Sequence, residues 1–209
     1  MAPRGVGAFF MMQITGRLTA WIDPRKLLTA GLVIGGVTLL WLSQLNLQAG
    51  YWDIFWPQFI QGISLGLLFV PLTTISMDPI AKEKMGNATS IFNLMRNLGG
   101  SMGIAASTTL LARHGQAYTS MLAARVTPYD PVTQSMLESM RRAFMARGAD
   151  FVTATQRAHA ALFGLVGRQA TMLAFVSVFR LLALIFLLML PLVLIMRSPR
   201  SRGPATPAH

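Results

Sequence analysis

The 209-residue chain has no cysteine, which excludes a disulfide scaffold, a thiolate metal site and a cysteine nucleophile. Acidic residues are scarce, 7 Asp and Glu against 18 Lys and Arg, and no paired-carboxylate site for general acid and base work is present. No acidic residue lies deep in a long apolar run, so the titratable group that a proton-coupled membrane machine normally needs is not visible in this chain. The three histidines, His114, His159 and His209, are too scattered to form a metal site. Nothing resembles a hydrolytic triad or a phosphate loop. Enzymatic function is therefore disfavoured, and neither cofactor nor metal is expected. Charged residues make up only 12% of the chain. The net charge of +11 suggests nucleic acid at first sight, but the bases sit between apolar runs and leave no basic face free of them, which excludes that partner.

Apolar residues dominate instead, at 53% of the chain with a mean hydropathy of +0.51. A helix that crosses a hydrocarbon core of about 30 Å needs about 20 mostly apolar residues. Five stretches qualify, about 6–22, 27–45, 54–77, 90–112 and 169–196. The expected fold is all-α and integral to the membrane, with four helices in 1–112 and a fifth at 169–196. The first stretch is the weakest. Its single Arg4 ahead of an apolar run imitates a secretory signal, but the cleavage site is poor.

Short basic loops stay in the cytoplasm. Arg17, Arg25 and Lys26 form one such loop, Lys82 and Lys84 a second, and the tail adds Arg197, Arg200 and Arg202. All fall on one side if the spans alternate, so the N-terminus is predicted outside and the C-terminus in the cytoplasm of a multi-pass inner-membrane protein. The segment 113–168 carries seven arginines and falls outside; long loops translocate largely regardless of charge. In it, Pro128-Tyr129-Asp130-Pro131 reads as a turn. Met136, Met140 and Phe144 follow at i, i+4 and i+8, as in an amphipathic helix on the membrane surface. A second helical stretch, 152–167, places Ala158, Leu162 and Leu165 on one face and runs into the last span. The tail 197–209, with three prolines, reads as disordered.

Helices in lipid pack closely through small residues, and three spans carry a G-x-x-x-G pair: Gly31/Gly35, Gly62/Gly66 and Gly99/Gly103. Polar groups inside a span are costly unless they face a bundle interior or water. Gln58 and Gln61 lie in the third span with Pro71 as a bending point, and Asn93, Asn97, Gly100 and Ser107 recur at helical spacing in the fourth. Arg96 lies beside them, either lining a cavity or tied to backbone carbonyls or the interface. Arg180 in the last span reads as structural or interfacial.

Three blocks of residues together resemble a known family. Gly16-Arg17-Leu18 followed by Asp23-Pro24-Arg25-Lys26 resembles the cytoplasmic hairpin signature of the major facilitator superfamily. The run from Pro57-Gln58 through Val70-Pro71-Leu72, then Asn87-Ala88-Thr89-Ser90 and Asn93 to Gly103, is similar to the EmrB/QacA-type drug:proton antiporters of that superfamily. The resemblance implies that the five spans correspond to the last five of a fourteen-span transporter, most of its C-terminal half-bundle, so that the N-terminal half and the coupling acid lie elsewhere. Where that family often has an acid before Val-Phe in its last span, this chain has Ser177 before Val178-Phe179.

By the same resemblance, Gly16, Arg17, Asp23 and Arg25 form a gating hairpin on the cytoplasmic face, and Gln58, Gln61, Asn93, Arg96 and Asn97 face the substrate cavity. Gly62, Gly66, Pro71, Gly99 and Gly103 serve helix contact and bending. The implied partners are the lipid bilayer, the missing N-terminal half or a split partner, a hydrophobic or amphiphilic substrate, and a membrane-fusion-type accessory protein. The expected function is the C-terminal part of a proton-coupled multidrug exporter, truncated and not competent alone. The alternative is a small membrane protein that transports nothing and docks to others through its glycine faces.

Overall fold

The computed structural model describes residues 2–127 and 129–195, the side chains of Lys82 and Leu194 excepted. Pro128 of the expected turn and the tail 197–209 lie outside the described residues. Among the described residues the chain is helical throughout: α1 (Ala2–Leu18), α2 (Pro24–Leu42), α3 (Tyr51–Met77), a 3₁₀ turn (Lys82–Lys84), α4 (Met85–Ala123), α5 (Pro131–Met145) and α6 (Phe151–Ile195). Three stretches among them, Pro24–Leu42, Tyr51–Met77 and Phe151–Val193, are long and apolar enough to cross a membrane. α1, with 17 residues, stands at the short limit of about 17–25, and α4 is long but rich in polar residues.

The helix starts follow from local chemistry, since the first amides of a helix have no partner within it. Asp23 caps α2, its Oδ1 accepting the Arg25 amide at 3.3 Å, with Pro24 at a first position where a missing N–H costs nothing. Asp53 reaches back from the first turn of α3 to accept the Gly50 amide at 2.8 Å. Asp130 caps α5 through the Thr133 amide and hydroxyl, at 3.0 and 2.8 Å, and Asp150 caps α6 through the Thr153 amide at 3.2 Å. α5 ends where Gly148 takes φ +90°, a conformation open to glycine. There the Gly148 amide donates to the Met145 carbonyl and the Ala149 amide to that of Phe144, as in a Schellman motif.

The chain divides into two compact units, Met1–Gly103 with the chain from Phe179 onward, and Ile104–Val178. In the first unit α3 packs against both α1 and α2. A Cβ added to Gly62 would strike the Arg4 carbonyl, one on Gly66 would lie 2.8 Å from the Met11 Cβ, and one on Gly7 would strike the Phe59 carbonyl. The backbones of α1 and α3 are therefore in direct contact. On the other side of α3, the Ser64 hydroxyl donates to the Gly31 carbonyl at 2.8 Å, and a Cβ on Gly35 would lie 2.6 Å from that hydroxyl. Leu28, Leu32 and Val193 form the buried centre, flanked by Leu68, Ile75, Phe186 and Leu190. The third pair behaves differently: among the described residues a Cβ on Gly99 or Gly103 meets nothing within 4 Å.

In the second unit, α6 buries Ala154, Ala158, Leu162, Ala170, Ala174 and Val178, a row recurring mostly every fourth residue. Leu165, expected on this face, stands 39% exposed. α5 buries Thr133 and half-buries Leu137, Met140, Arg141 and Phe144. Met136, the first residue of the expected stripe, is exposed, and the Arg141 guanidinium lies 4.8 Å from the Phe151 ring centroid of α6. The apolar face of α5 is thus rotated from the expected one and turned towards α6.

Gly62→Ala and Gly66→Ala are expected to overpack the α1–α3 contact at roughly 1–3 kcal/mol each, read as a lower thermal midpoint of the purified chain. Gly99→Ala and Gly103→Ala should leave that midpoint unchanged or slightly raised. The Thr133 hydroxyl and amide hold the Asp130 carboxyl below the ordinary carboxylate range, and Thr153 does the same for Asp150. A lowered folded pKa gives a stabilisation that is complete above the unfolded value of about 3.9 and lost as pH falls through the folded one. Acidification from pH 6 to pH 2 should therefore fray the starts of α5 and α6. The double variant Asp130→Asn/Asp150→Asn, which keeps side-chain caps without the titration, should lose less helical circular dichroism over that range.

Candidate functional site on helices α3 and α4

α3 carries two glutamines in a run that is otherwise almost wholly apolar. Gln58 precedes Gly62 and Gly66 by one and two turns, so it continues the stripe that meets α1. Its Oε1 is buried without a hydrogen-bond partner. An unsatisfied buried acceptor costs about 1–3 kcal/mol, which marks Gln58 as the group on α3 with an unmet need. Gln61 lies three residues on, about 60° round the helix, and is partly exposed. Pro71 and Pro57 are both fully buried within the helix. Proline has no amide to donate, and next to Pro71 the hydroxyls of Thr73 and Thr74 donate to the Phe69 and Val70 carbonyls at 2.8–3.1 Å.

α4 supplies Asn93, Arg96 and Asn97, and all three side chains are exposed. None of the 39 residues of α4 is buried. Arg96 reaches across to α3, its guanidinium 4.5 Å from the centroid of the Phe69 ring. A cation over an aromatic face gains about 0.5–1 kcal/mol when exposed and about 2 or more when desolvated, so the pair would tighten if the site were closed off from water. Phe69 is absent from the sequence-based candidates, because nothing local distinguishes it from the other apolar residues of α3.

In the hairpin, the Gly16 carbonyl accepts the Thr19 hydroxyl at 2.9 Å and the Arg17 carbonyl accepts the Ala20 amide at 3.2 Å, which turns the chain after α1. Asp23 and Arg25 meet through backbone capping at the start of α2. Gly16, Arg17, Asp23 and Arg25 thus lie along one tight turn. Arg180 is exposed on α6. Ser177 pairs with the Tyr118 hydroxyl at 2.7 Å, a neutral link between α6 and α4 that sequence reasoning missed. Among the described residues no group of three or more His, Cys, Asp and Glu is placed to hold a metal ion.

Comparison with known proteins identifies the family of the chain. The family model of the Major Facilitator Superfamily matches residues 1–104. The multidrug export protein EmrB of Haemophilus influenzae is 30% identical over 142 residues, 68% of this chain and 28% of that protein. EmrB of Escherichia coli is 28% identical over 204 residues, 97% of this chain and 38% of that protein. The fatty acid resistance protein FarB of Neisseria gonorrhoeae is 24% identical over 206 residues, again 97% and 38%. The chain thus spans no more than 38% of the length of these relatives. No solved structure matches it significantly. The chain belongs to the major facilitator superfamily and is related to its EmrB-type drug exporters.

Proposed function

We propose that this chain is the C-terminal portion of a proton-coupled multidrug exporter that works by alternating access and needs a complementary N-terminal half. The observation that carries this reading is α4, which holds Asn93, Arg96 and Asn97 yet buries no residue in this chain. Amides and a guanidinium facing hydrocarbon are costly, so such a helix requires protein or a water-filled cavity around it. The open Gly99/Gly103 face supplies the surface for close contact. The span of this chain on its relatives, 38% of EmrB from Escherichia coli, supports the same reading.

In this reading α1 and α4 are the two remaining membrane spans, the N-terminus lies outside, and the Arg17 to Lys26 hairpin faces the cytoplasm. Asn93, Arg96 and Asn97 line the cavity between the halves, with Gln61 at its edge, and Gln58 takes its missing partner in another state of the cycle. The hairpin stabilises one state, and hydrophobic or amphiphilic toxic compounds are the substrates. The coupling acid sits in the complementary half, and an outer accessory protein carries the substrate onward. The docking alternative uses the same Gly99/Gly103 face with no transport.

The test is expression in a drug-hypersensitive bacterium, alone and with the N-terminal portion of a relative. Resistance is expected only from the pair, and Arg96→Ala at equal expression should reduce it at least about fivefold, equivalent to about 1 kcal/mol. Unchanged resistance would remove Arg96 from the site. Stable co-purification of the two pieces without any resistance would favour the docking alternative.

A further inference from the structure

The Ile104–Val178 unit holds an apolar cavity of about 210 Å³ between α5, α6 and the end of α4, bordered by Val126, Leu137, Leu162, Phe163 and Val166. It adjoins a wider groove of about 550 Å³, lined by Gln134, Ser135, Glu138, Arg141 and Thr155, and Leu137 and His159 border both. The arrangement is therefore amphiphilic, a greasy end continuous with a polar one. Charge decides the sign of its ligand. Glu138 is shared by two guanidiniums, that of Arg141 on the groove lining at 3.2 Å and that of Arg142, exposed beside the groove, at 3.5 Å, so the cluster of three sums to one positive charge. Asp130, the other acid nearby, is occupied by the amide and hydroxyl of Thr133. Across the whole unit, seven arginines oppose three acids.

We propose that this cavity and groove form a binding site for a single-tailed anionic amphiphile of the carboxylate class. The tail lies against Leu162, Phe163 and Val166, and the head lies in the groove at Arg141, Gln134 and His159. The volume sets the tail length. It is below the range of about 300–1,000 Å³ of drug-sized pockets, and at roughly 30 Å³ per group the size of a water molecule it takes about seven such groups. Affinity should rise about fourfold for each methylene up to that length and then level off. The site lies wholly within one unit, so it does not depend on whether the chain completes a transporter.

The experiment uses the full chain in lipid nanodiscs free of detergent, titrated with straight-chain carboxylates of four to twelve carbons, with empty nanodiscs as the reference. Saturable binding is expected, levelling off near eight carbons. Octylamine, with the same tail and the opposite charge, should bind at least tenfold more weakly. Leu162→Trp, which fills the cavity, should weaken octanoate at least tenfold, and Arg141→Gln at least threefold, both with wild-type circular dichroism. Because either substitution could disturb the α5–α6 contact, an octanoate bearing a diazirine at its tail end is photolysed on the unaltered chain, and label is expected on 159–166. Uptake equal to that of empty nanodiscs, equal binding of octylamine, or label absent from 159–166 would overturn the proposal.

Discussion

Apolar side chains gain little by exchanging lipid for protein, so the packing of this chain depends on how closely helix backbones approach one another. α3 is where that condition is met. Its Gly62 and Gly66 admit the backbone of α1 on one side, and Ser64 hydrogen-bonds the Gly31 carbonyl of α2 on the other. Because residues three or four apart share a face, one helix serves two neighbours with alternate positions of a single stretch. The leucine cluster around Leu28 and Leu32 fills space that these close contacts define.

α4 shows the same constraint unmet. It has glycines spaced for close contact at Gly99 and Gly103 and polar side chains that lipid would reject, yet it has no buried residue. Its reach to α3 through Arg96 and Phe69 is one side chain against a ring, not a packed seam. Polar side chains on an unburied helix with open glycines are the combination on which the functional reading centres. The scarcity of acids has a matching physical use. Four of the seven, Asp23, Asp53, Asp130 and Asp150, accept amide hydrogen bonds at helix starts, where a negative charge also opposes the positive end of the helix dipole.

The two long helices each join apolar and charged stretches within a single element. At about 1.5 Å per residue, the 39 residues of α4 and the 45 of α6 exceed a hydrocarbon core of about 30 Å by roughly a factor of two. The excess falls in composition that tolerates water: arginines, helix caps and an amphipathic α5. A pocket lined by leucine, valine and phenylalanine beside guanidiniums arises there because α5 folds onto α6 and so brings apolar residues of both together.

The sequence by itself determined the all-helical character and the membership in a transporter superfamily, and it holds the acids that cap α2, α5 and α6 in the structure. These rest on local rules: a cap bonds an amide two or three residues on, and apolar spacing follows the helix turn. It also determined that Gly31/Gly35 and Gly62/Gly66 have the spacing of contact faces, though not which neighbour each meets. Only the tertiary structure decided that Gly62 and Gly66 meet α1, with Gly7 as a partner unmarked by any motif, and that a Cβ on Gly99 or Gly103 meets nothing within 4 Å among the described residues. It likewise decided that Phe69 lies under Arg96, that Tyr118 pairs with Ser177, and that the buried row of α6 passes through Ala154 and not Leu165. Each of these joins residues on different helices or ranks the faces of one helix, and side-chain spacing along a single helix carries no information about which neighbour that face will meet.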